Sequence, residues 1–130
     1  THINNRMFAN CVNLESIMLP HTITHIYTSA FEGCTKLKFI FIPHGVIYIG
    51  DHVFNKCINL VSITLPITLT YIGDYAFSEC TGLQSIILPN TLTHISYNAF
   101  KNTNIKIQRV LIRENIIINY KNHITNDKSK

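Results

Sequence analysis

The sequence has no tryptophan, and only 14 % of its 130 residues are charged, well below the quarter that is usual in globular domains. It has no apolar run of about 18 residues, the minimum for a helical membrane span. Common catalytic signatures such as Gly-x-Ser-x-Gly and His-Glu-x-x-His are also missing. We therefore predict a chain that is not an enzyme, has no catalytic residues and no cofactor, and does not insert into a membrane.

A 23-residue repeat is the dominant feature of the chain. Its rows lie at Phe8, Phe31, Phe54, Phe77 and Phe100, at Cys11, Cys34, Cys57 and Cys80, at Leu14, Leu37, Leu60 and Leu83, and at Pro20, Pro43, Pro66 and Pro89. A unit this short cannot bury its own apolar side chains, so neighbouring units must stack and share one core. The pattern therefore predicts a repeat solenoid.

Each unit contains a segment Leu-x-x-Ile-x-Leu-Pro that is typical of a short strand. Because every coil returns to its starting side, these strands run parallel, about 4.8 Å apart. Proline follows where the strand must end, since it cannot donate to the ladder. On the opposite side we expect tight turns and a short helical turn around Ala-Phe-x-x-Cys. Asp51 and Asp74 precede that turn, where we expect them to cap it rather than to form a catalytic pair.

Two stretches carry a family resemblance: 31–37, Phe-Glu-Gly-Cys-Thr-Lys-Leu, and 65–77, Leu-Pro-Ile-Thr-Leu-Thr-Tyr-Ile-Gly-Asp-Tyr-Ala-Phe. This pattern resembles the BspA-like leucine-rich repeat family. The resemblance implies a leucine-rich repeat solenoid with a parallel β-sheet on one face and turns and short helical turns on the other. It also implies surface and scaffold proteins of bacteria and anaerobic protists that adhere to host matrix proteins or other cells.

The repeat pattern divides the chain into three parts. We expect leucine-rich repeats over 1–103, a final strand and C-terminal cap over 104–120, and a polar tail over 121–130. Residues 1–3, Thr-His-Ile, match 24–26 and so begin in the middle of a repeat. We therefore expect a fragment of a longer array or a processed product.

The four cysteines could form disulfides, bind a metal or lie in the core as thiols. Their parallel stacking gives poor geometry for disulfides, and the chain has no Cys-x-x-Cys spacing typical of metal sites. Unpaired cysteine behaves as a small apolar residue. We predict buried thiols and no metal site.

Outward positions of the predicted strands hold a mixture of polar and large apolar residues. Their two rows are Ser16, Phe39, Ser62 and Ser85, and Met18, Phe41, Thr64 and Ile87. Exposed aromatic and Met side chains with few charges indicate the centre of a protein interface. We therefore predict protein-binding residues at Met18, Phe39, Phe41 and Ile87. The alternative is that strand propensity alone placed them there.

A second row, at the border of this face, consists of His25, Tyr48, Tyr71 and His94. We predict that these side chains form the rim of the binding surface. Pairs of histidines on adjacent coils, such as His21 and His44, could bind a metal or sense acid. Without a carboxylate or thiol they make an insufficient ligand set, so exposed polar rings are the simpler interpretation.

Together these features predict a protein–protein interaction module for adhesion or surface binding to another protein, such as a host matrix or cell-surface protein. The alternative is a spacer or scaffold segment whose open repeat end and outward apolar row pair with a copy of itself. The resemblance indicates the cell surface, while the absence of Asn-x-Ser/Thr sites fits a cytosolic or a prokaryotic origin, so the cytoplasm is the alternative location. A basic arm of Lys106, Arg109, Arg113 and Lys121 could contact nucleic acid, but charge alone is a statement about solubility, so we predict no nucleic-acid partner.

Overall fold

The structure is a computed structural model that describes residues 1–108, with side chains for residues 1–105. Its chain winds into stacked coils, each of which crosses two narrow strand regions and a turn region. In chain order the strands are β1 His2–Ile3, β2 His25–Ile26, β3 Phe39–Phe41, β4 Tyr48–Ile49, β5 Ser62–Thr64, β6 Tyr71–Ile72, β7 Ser85–Ile87, β8 His94–Ile95 and β9 Lys106–Gln108. The predicted solenoid is confirmed.

The predicted strand segment lies on one face of the stack. Strand β3 pairs in parallel with β5, so that Ile40 lies beside Ile63, and β7 pairs in parallel with β9. In the coil before β3, the chain is not a strand, but the N–H of Lys38 still donates to the carbonyl of Glu15 at 3.2 Å. The repeat therefore places equivalent residues side by side, as predicted.

A second sheet lies one turn further along each coil, and the sequence analysis did not predict it. It is five-stranded and parallel, in the order β1-β2-β4-β6-β8. Its register pairs residues that are 23 positions apart, such as Tyr48 with Tyr71 and Ile49 with Ile72. Each strand has only two residues, too few for an alternation of polar and apolar residues to be recognised in the sequence.

The third side of the stack consists of turns, and residues 1–108 contain no helix. Backbone N–H groups alternate here between two kinds of partner. Those of Ser29 and Phe31 donate to the carbonyls of Asp51 and Val53 in the next coil, both at 2.9 Å, whereas that of Cys34 donates to Phe31 within its own coil at 3.2 Å. This alternation bonds each coil directly to the next.

Residues with a left-handed backbone conformation allow the N–H groups to alternate between the next coil and their own coil. They also exclude the predicted helical turns. They occur two positions before and two positions after the repeated phenylalanine, for example at His52 (φ 59°) and Lys56 (φ 66°). The expected helix capping by Asp51 is therefore wrong. Its Oδ1 atom instead accepts the N–H of Asp74 in the next coil at 2.8 Å. The coils approach so closely there that a Cβ on Gly73 would lie 2.7 Å from the backbone N of Asp51.

The core is a set of columns in which like side chains touch. The rings of Phe31, Phe54 and Phe77 stack at centroid distances of 5.5 and 5.3 Å, in nearly parallel planes. Leu37, Leu60 and Leu83 form a second, fully buried row. In the first coil the equivalent side chains are only half-buried: Phe8, Cys11, Leu14 and Ile17.

The predicted cap over 104–120 lies mostly outside the described residues, and the predicted tail over 121–130 lies wholly outside them. Within the described part, β9 adds a strand beside β7. Residues 1–108 hold no helix with the length and apolarity to cross a bilayer.

Candidate protein-binding surface

Three large apolar side chains protrude from the first two coils of the strand face. Met18 is 94 % exposed, Phe39 57 % and Phe41 65 %, whereas Ile40 between the two phenylalanines points into the core at 3 %. This alternation follows from the pleat of β3, which turns successive side chains to opposite faces. We call Met18, Phe39 and Phe41 the apolar patch.

The apolar patch borders an open groove of about 1020 Å³. Its walls also include Pro20 and His21 from one coil and Pro43 and His44 from the next. Sequence reasoning did not assign these four residues to the binding surface. Their signal was present, since Pro-His follows the strand segment in two adjacent coils. The groove therefore offers imidazole nitrogens beside an otherwise apolar surface.

Ile87 is not part of this groove. It is 62 % exposed, but it lies on β7, two coils beyond Phe41, and the exposed Thr64 occupies the equivalent position on β5 between them. The structure thus brings together three of the four residues predicted for the sheet face and leaves the fourth apart.

Opposite charges flank the apolar patch. Glu15 and Lys38 precede it on adjacent coils, and both are exposed. Their backbones are hydrogen-bonded neighbours, yet within the described part of the chain the ion pair found is the one between Arg6 and Glu32. Each of the two charges next to the patch therefore remains available to a partner.

The predicted rim lies on the five-stranded sheet rather than beside the strands of the apolar patch. Its rings form a continuous stack: Tyr48 and Tyr71 lie 4.7 Å apart, and Tyr71 and His94 lie 4.5 Å apart, with planes within 12° in each pair. His25 lies 5.5 Å from Tyr48 at a larger tilt. Neighbouring rings cover both faces of Tyr71, which leaves the ring edges for contact with a partner.

Tyr27 also belongs to this stack, although the sequence analysis missed it. Its ring lies 5.6 Å from His25 and 5.9 Å from Tyr48. Burial raises the pKa of the Tyr48 phenol, and nearby Tyr71, Asp51 and Tyr27 raise it further because each can carry a negative charge. The phenol of Tyr48 therefore stays neutral and able to donate a hydrogen bond.

The cysteines are free thiols, and Cys34, Cys57 and Cys80 are fully buried as predicted. The Sγ of Cys57 donates to the carbonyl of Phe31 in the preceding coil at 3.2 Å, and Cys34 and Cys80 make the equivalent bonds. Burial raises the pKa of Cys34 to about 11 and that of Cys80 to about 12. These thiols are structural and unreactive.

A polar cluster on the turn side lies away from the apolar patch. The Nδ2 of Asn55 donates to Glu32 Oε2 at 2.8 Å, and Arg6 Nη1 lies 3.8 Å from Glu32 Oε1. Burial acts to raise the pKa of Glu32, but hydrogen bonds from Ser29 and Asn55 and the positive charges of His52 and Arg6 outweigh it, so the pKa is lowered. The cluster joins three coils and so has a structural role.

The stacked 23-residue coils, their parallel strands and the exposed patch define the class of protein as a leucine-rich repeat solenoid. The particular family follows from the sequence profile of the BspA type leucine-rich repeat region, which matches residues 1–128 in six copies. The chain belongs to this family. Repeats of this kind generally mediate protein–protein interaction and are typically binding modules rather than enzymes.

Several solved bacterial leucine-rich repeat proteins are similar to the chain. The one from Treponema pallidum is 38 % identical, with a TM-score of 0.76, over 78 % of this chain and 47 % of that one. The one from Bacteroides ovatus is also 38 % identical, with a TM-score of 0.65, over 68 % of this chain and 23 % of that one.

A leucine rich cell surface protein from Faecalibacterium prausnitzii has a TM-score of 0.66 over 80 % of this chain and 35 % of its own, but at 22 % identity it shares the fold alone. The chain spans less than half the length of each of these proteins. No curated protein matches it significantly.

Proposed function

We propose that the chain is an adhesive module at a cell surface and that it holds a partner protein against the apolar patch. The observation that carries this proposal is the exposure of Met18, Phe39 and Phe41 on adjacent coils beside an open groove. Contiguous exposed apolar area of this kind marks interaction sites, and aromatic and Met side chains are enriched in protein interfaces.

Comparison with the next coil favours partner binding, rather than strand propensity, as the reason for phenylalanine at positions 39 and 41. At the positions equivalent to Phe39 and Phe41, the next coil has Ser62 and Thr64, both exposed and in the same parallel ladder. A strand at this position can therefore form with polar outward residues. Phenylalanine is not required there for strand pairing, which supports a role of Phe39 and Phe41 in contacting a partner.

A second contact region in this proposal consists of the stacked rings of His25, Tyr48, Tyr71 and His94. Ile87 is a separate apolar contact on β7, two coils beyond the apolar patch. The rings lie on a different sheet from the apolar patch, so a partner large enough to wrap around the coil would be needed to touch both. Solenoids present extended surfaces of this kind to large partners.

A binding assay on immobilised extracellular-matrix extract tests the proposal. The double substitution Phe39→Ser with Phe41→Ser is expected to abolish retention and to leave the unfolding temperature nearly unchanged, because both side chains are exposed. Ile67→Ser is the matched control, since Ile67 is 68 % exposed outside the groove. Equal retention of wild type and double variant would overturn the proposal.

The cell-surface location has its own test. Protease added to intact cells should cleave the chain if it is displayed outside. If the chain is cytoplasmic, cleavage will occur only after lysis, and adhesion will no longer be a tenable function.

A second candidate function is a scaffold segment that self-associates end to end. In support, like side chains of successive coils contact each other, as Phe8 contacts Phe31 at a ring-centroid distance of 5.2 Å, so that the core can extend by addition of further coils. End-to-end stacking does not close, so it produces species that keep growing with concentration. Light scattering over a dilution series would detect them.

A further inference from the structure

We propose that the partner held by the apolar patch is a second copy of this chain, docked face to face about a two-fold axis parallel to the strands. The axis passes between the coil of Met18 and the coil of Phe41. The inference rests on the proposed function in so far as it uses the same patch. The charges beside the patch and its exposed area favour a second copy as the occupant.

Symmetry places opposite charges together in this dimer. A two-fold axis along the strands keeps positions along the strand and reverses the order of the coils. Met18 of one copy therefore faces Phe41 of the other, and Glu15 of one copy faces Lys38 of the other. Each contact occurs twice, as in every isologous interface. The two charges that have no ion pair within the described chain thus find partners across the axis.

The sequence of the patch allows this arrangement without repulsion inside it. The described residues that line the groove include no Asp, Glu, Lys or Arg. Glu15 and Lys38 lie at the same repeat position on adjacent coils, so a two-fold axis parallel to the strands places each opposite the other. Charges that are complementary at the margin and absent at the centre are typical of specific interfaces.

The area agrees with a weak dimer. With about 200 Å² for the surface of a large side chain, the exposed fractions of Met18, Phe39 and Phe41 give roughly 400 Å² per copy. Two copies bury roughly 800 Å² from these side chains alone, and flanking His21 and His44 bring the total toward the lower limit of about 1,200 Å² for specific complexes. We therefore expect a weak, reversible dimer.

Sedimentation equilibrium over about three decades of concentration measures this association. The wild-type chain is expected to shift from monomer to dimer and to stop there, because an isologous interface closes. Met18→Ser and Phe41→Ser should each weaken the dimer by more than about tenfold. Ile67→Ser, which removes an equally exposed side chain outside the groove, should leave the dissociation constant unchanged.

Mixing two charge variants gives the decisive result. Glu15→Lys and Lys38→Glu should each dimerise poorly alone, because like charges face each other across the axis. Mixed in equal amounts, they should form a heterodimer at wild-type affinity, since both pairs across the axis are then of opposite charge. Contacts within one chain cannot change on mixing, so this gain reports only pairing between copies.

The matched control uses two charges on the turn side. Glu79→Lys and Lys101→Glu change the net charge by the same amounts as the first pair, and mixing them should have no effect. A wild-type chain that stays monomeric, or a dimer that persists unchanged with Phe41→Ser, would overturn the inference. Matrix retention that is lost with Phe39→Ser and Phe41→Ser would still uphold the proposed function in that case, with a different protein as the partner.

Discussion

Asp51 Oδ1 accepts the backbone N–H of Asp74, its counterpart one repeat later, at 2.8 Å. The bond ties two coils together at a point where Gly73 lets their backbones approach closely. Replacing a hydrogen-bonding side chain at such a point leaves a backbone donor without its partner, and the cost of that loss can be measured.

We expect Asp51→Ala to lower the free energy of unfolding by about 1–2 kcal/mol, because the N–H of Asp74 loses its acceptor. Asp51→Asn keeps an amide oxygen in place and should cost less than half as much. Urea denaturation followed by circular dichroism gives both values. Equal losses for the two variants would contradict the hydrogen-bond explanation.

The leucine column should be the most sensitive part of the core. Leu60 is fully buried, and its replacement with alanine leaves a cavity that the neighbouring coils cannot close, at a cost of about 2–5 kcal/mol. The adjacent Val61 is 58 % exposed, and Val61→Ala should cost less than about 0.5 kcal/mol. Denaturant titration of both variants provides the comparison, and similar costs would show that the column is not the core.

Thiol reactivity should separate the first coil from the rest. Burial raises the pKa of Cys80 to about 12, so almost none of it is thiolate near pH 8, and Cys34 and Cys57 are equally inaccessible. Cys11 is half-buried. A thiol-specific chromogenic reagent should therefore modify one cysteine rapidly in the native protein and all four after denaturation. Rapid modification of Cys57 or Cys80 in the native protein would contradict this assignment.

Acid should weaken the turn-side cluster in a defined pH range. The pKa of Glu32 is lower in the folded chain than its ordinary value of 4.5, so its stabilising contribution is present above pH 4.5 and is lost as the pH falls through the lowered pKa. Because the side chain is partly exposed, we expect less than about 1 kcal/mol. Glu32→Gln should flatten this part of the stability–pH curve. A curve that stays parallel to wild type would assign the loss to other carboxylates.

The columns of the core could be predicted from the sequence because each row repeats one residue type at a fixed offset. The turn side could not. His52 and Tyr75 adopt left-handed conformations that ordinarily favour glycine or asparagine, and the neighbouring coil, rather than their own side chains, imposes them. The short helical turn was therefore predicted where a chain of coil-to-coil hydrogen bonds occurs.

The candidate site was predictable in part for a related reason. Strand alternation alone places Phe39 and Phe41 outward, and the structure confirms their exposure. The separation of Tyr48 from these residues depends on a second sheet whose strands have only two residues each. No local pattern encodes where the chain bends between two sheets. The sequence therefore predicts the rim beside the apolar patch, whereas its residues lie on the five-stranded sheet.

The backbone-to-backbone hydrogen bonds that join the coils on the turn side all run in one direction, with N–H groups of one coil donating to carbonyls of the next. Any coil can therefore accept from the one before it and donate to the one after it, whatever its place in the order. After duplication or loss of one whole unit, each N–H donor still lies opposite a carbonyl of the adjacent coil. After a change of any other length, donors lie opposite other donors or have no partner. The solenoid can thus become longer or shorter by whole coils without a change of fold. Its length changes, while the surface of each remaining coil is preserved.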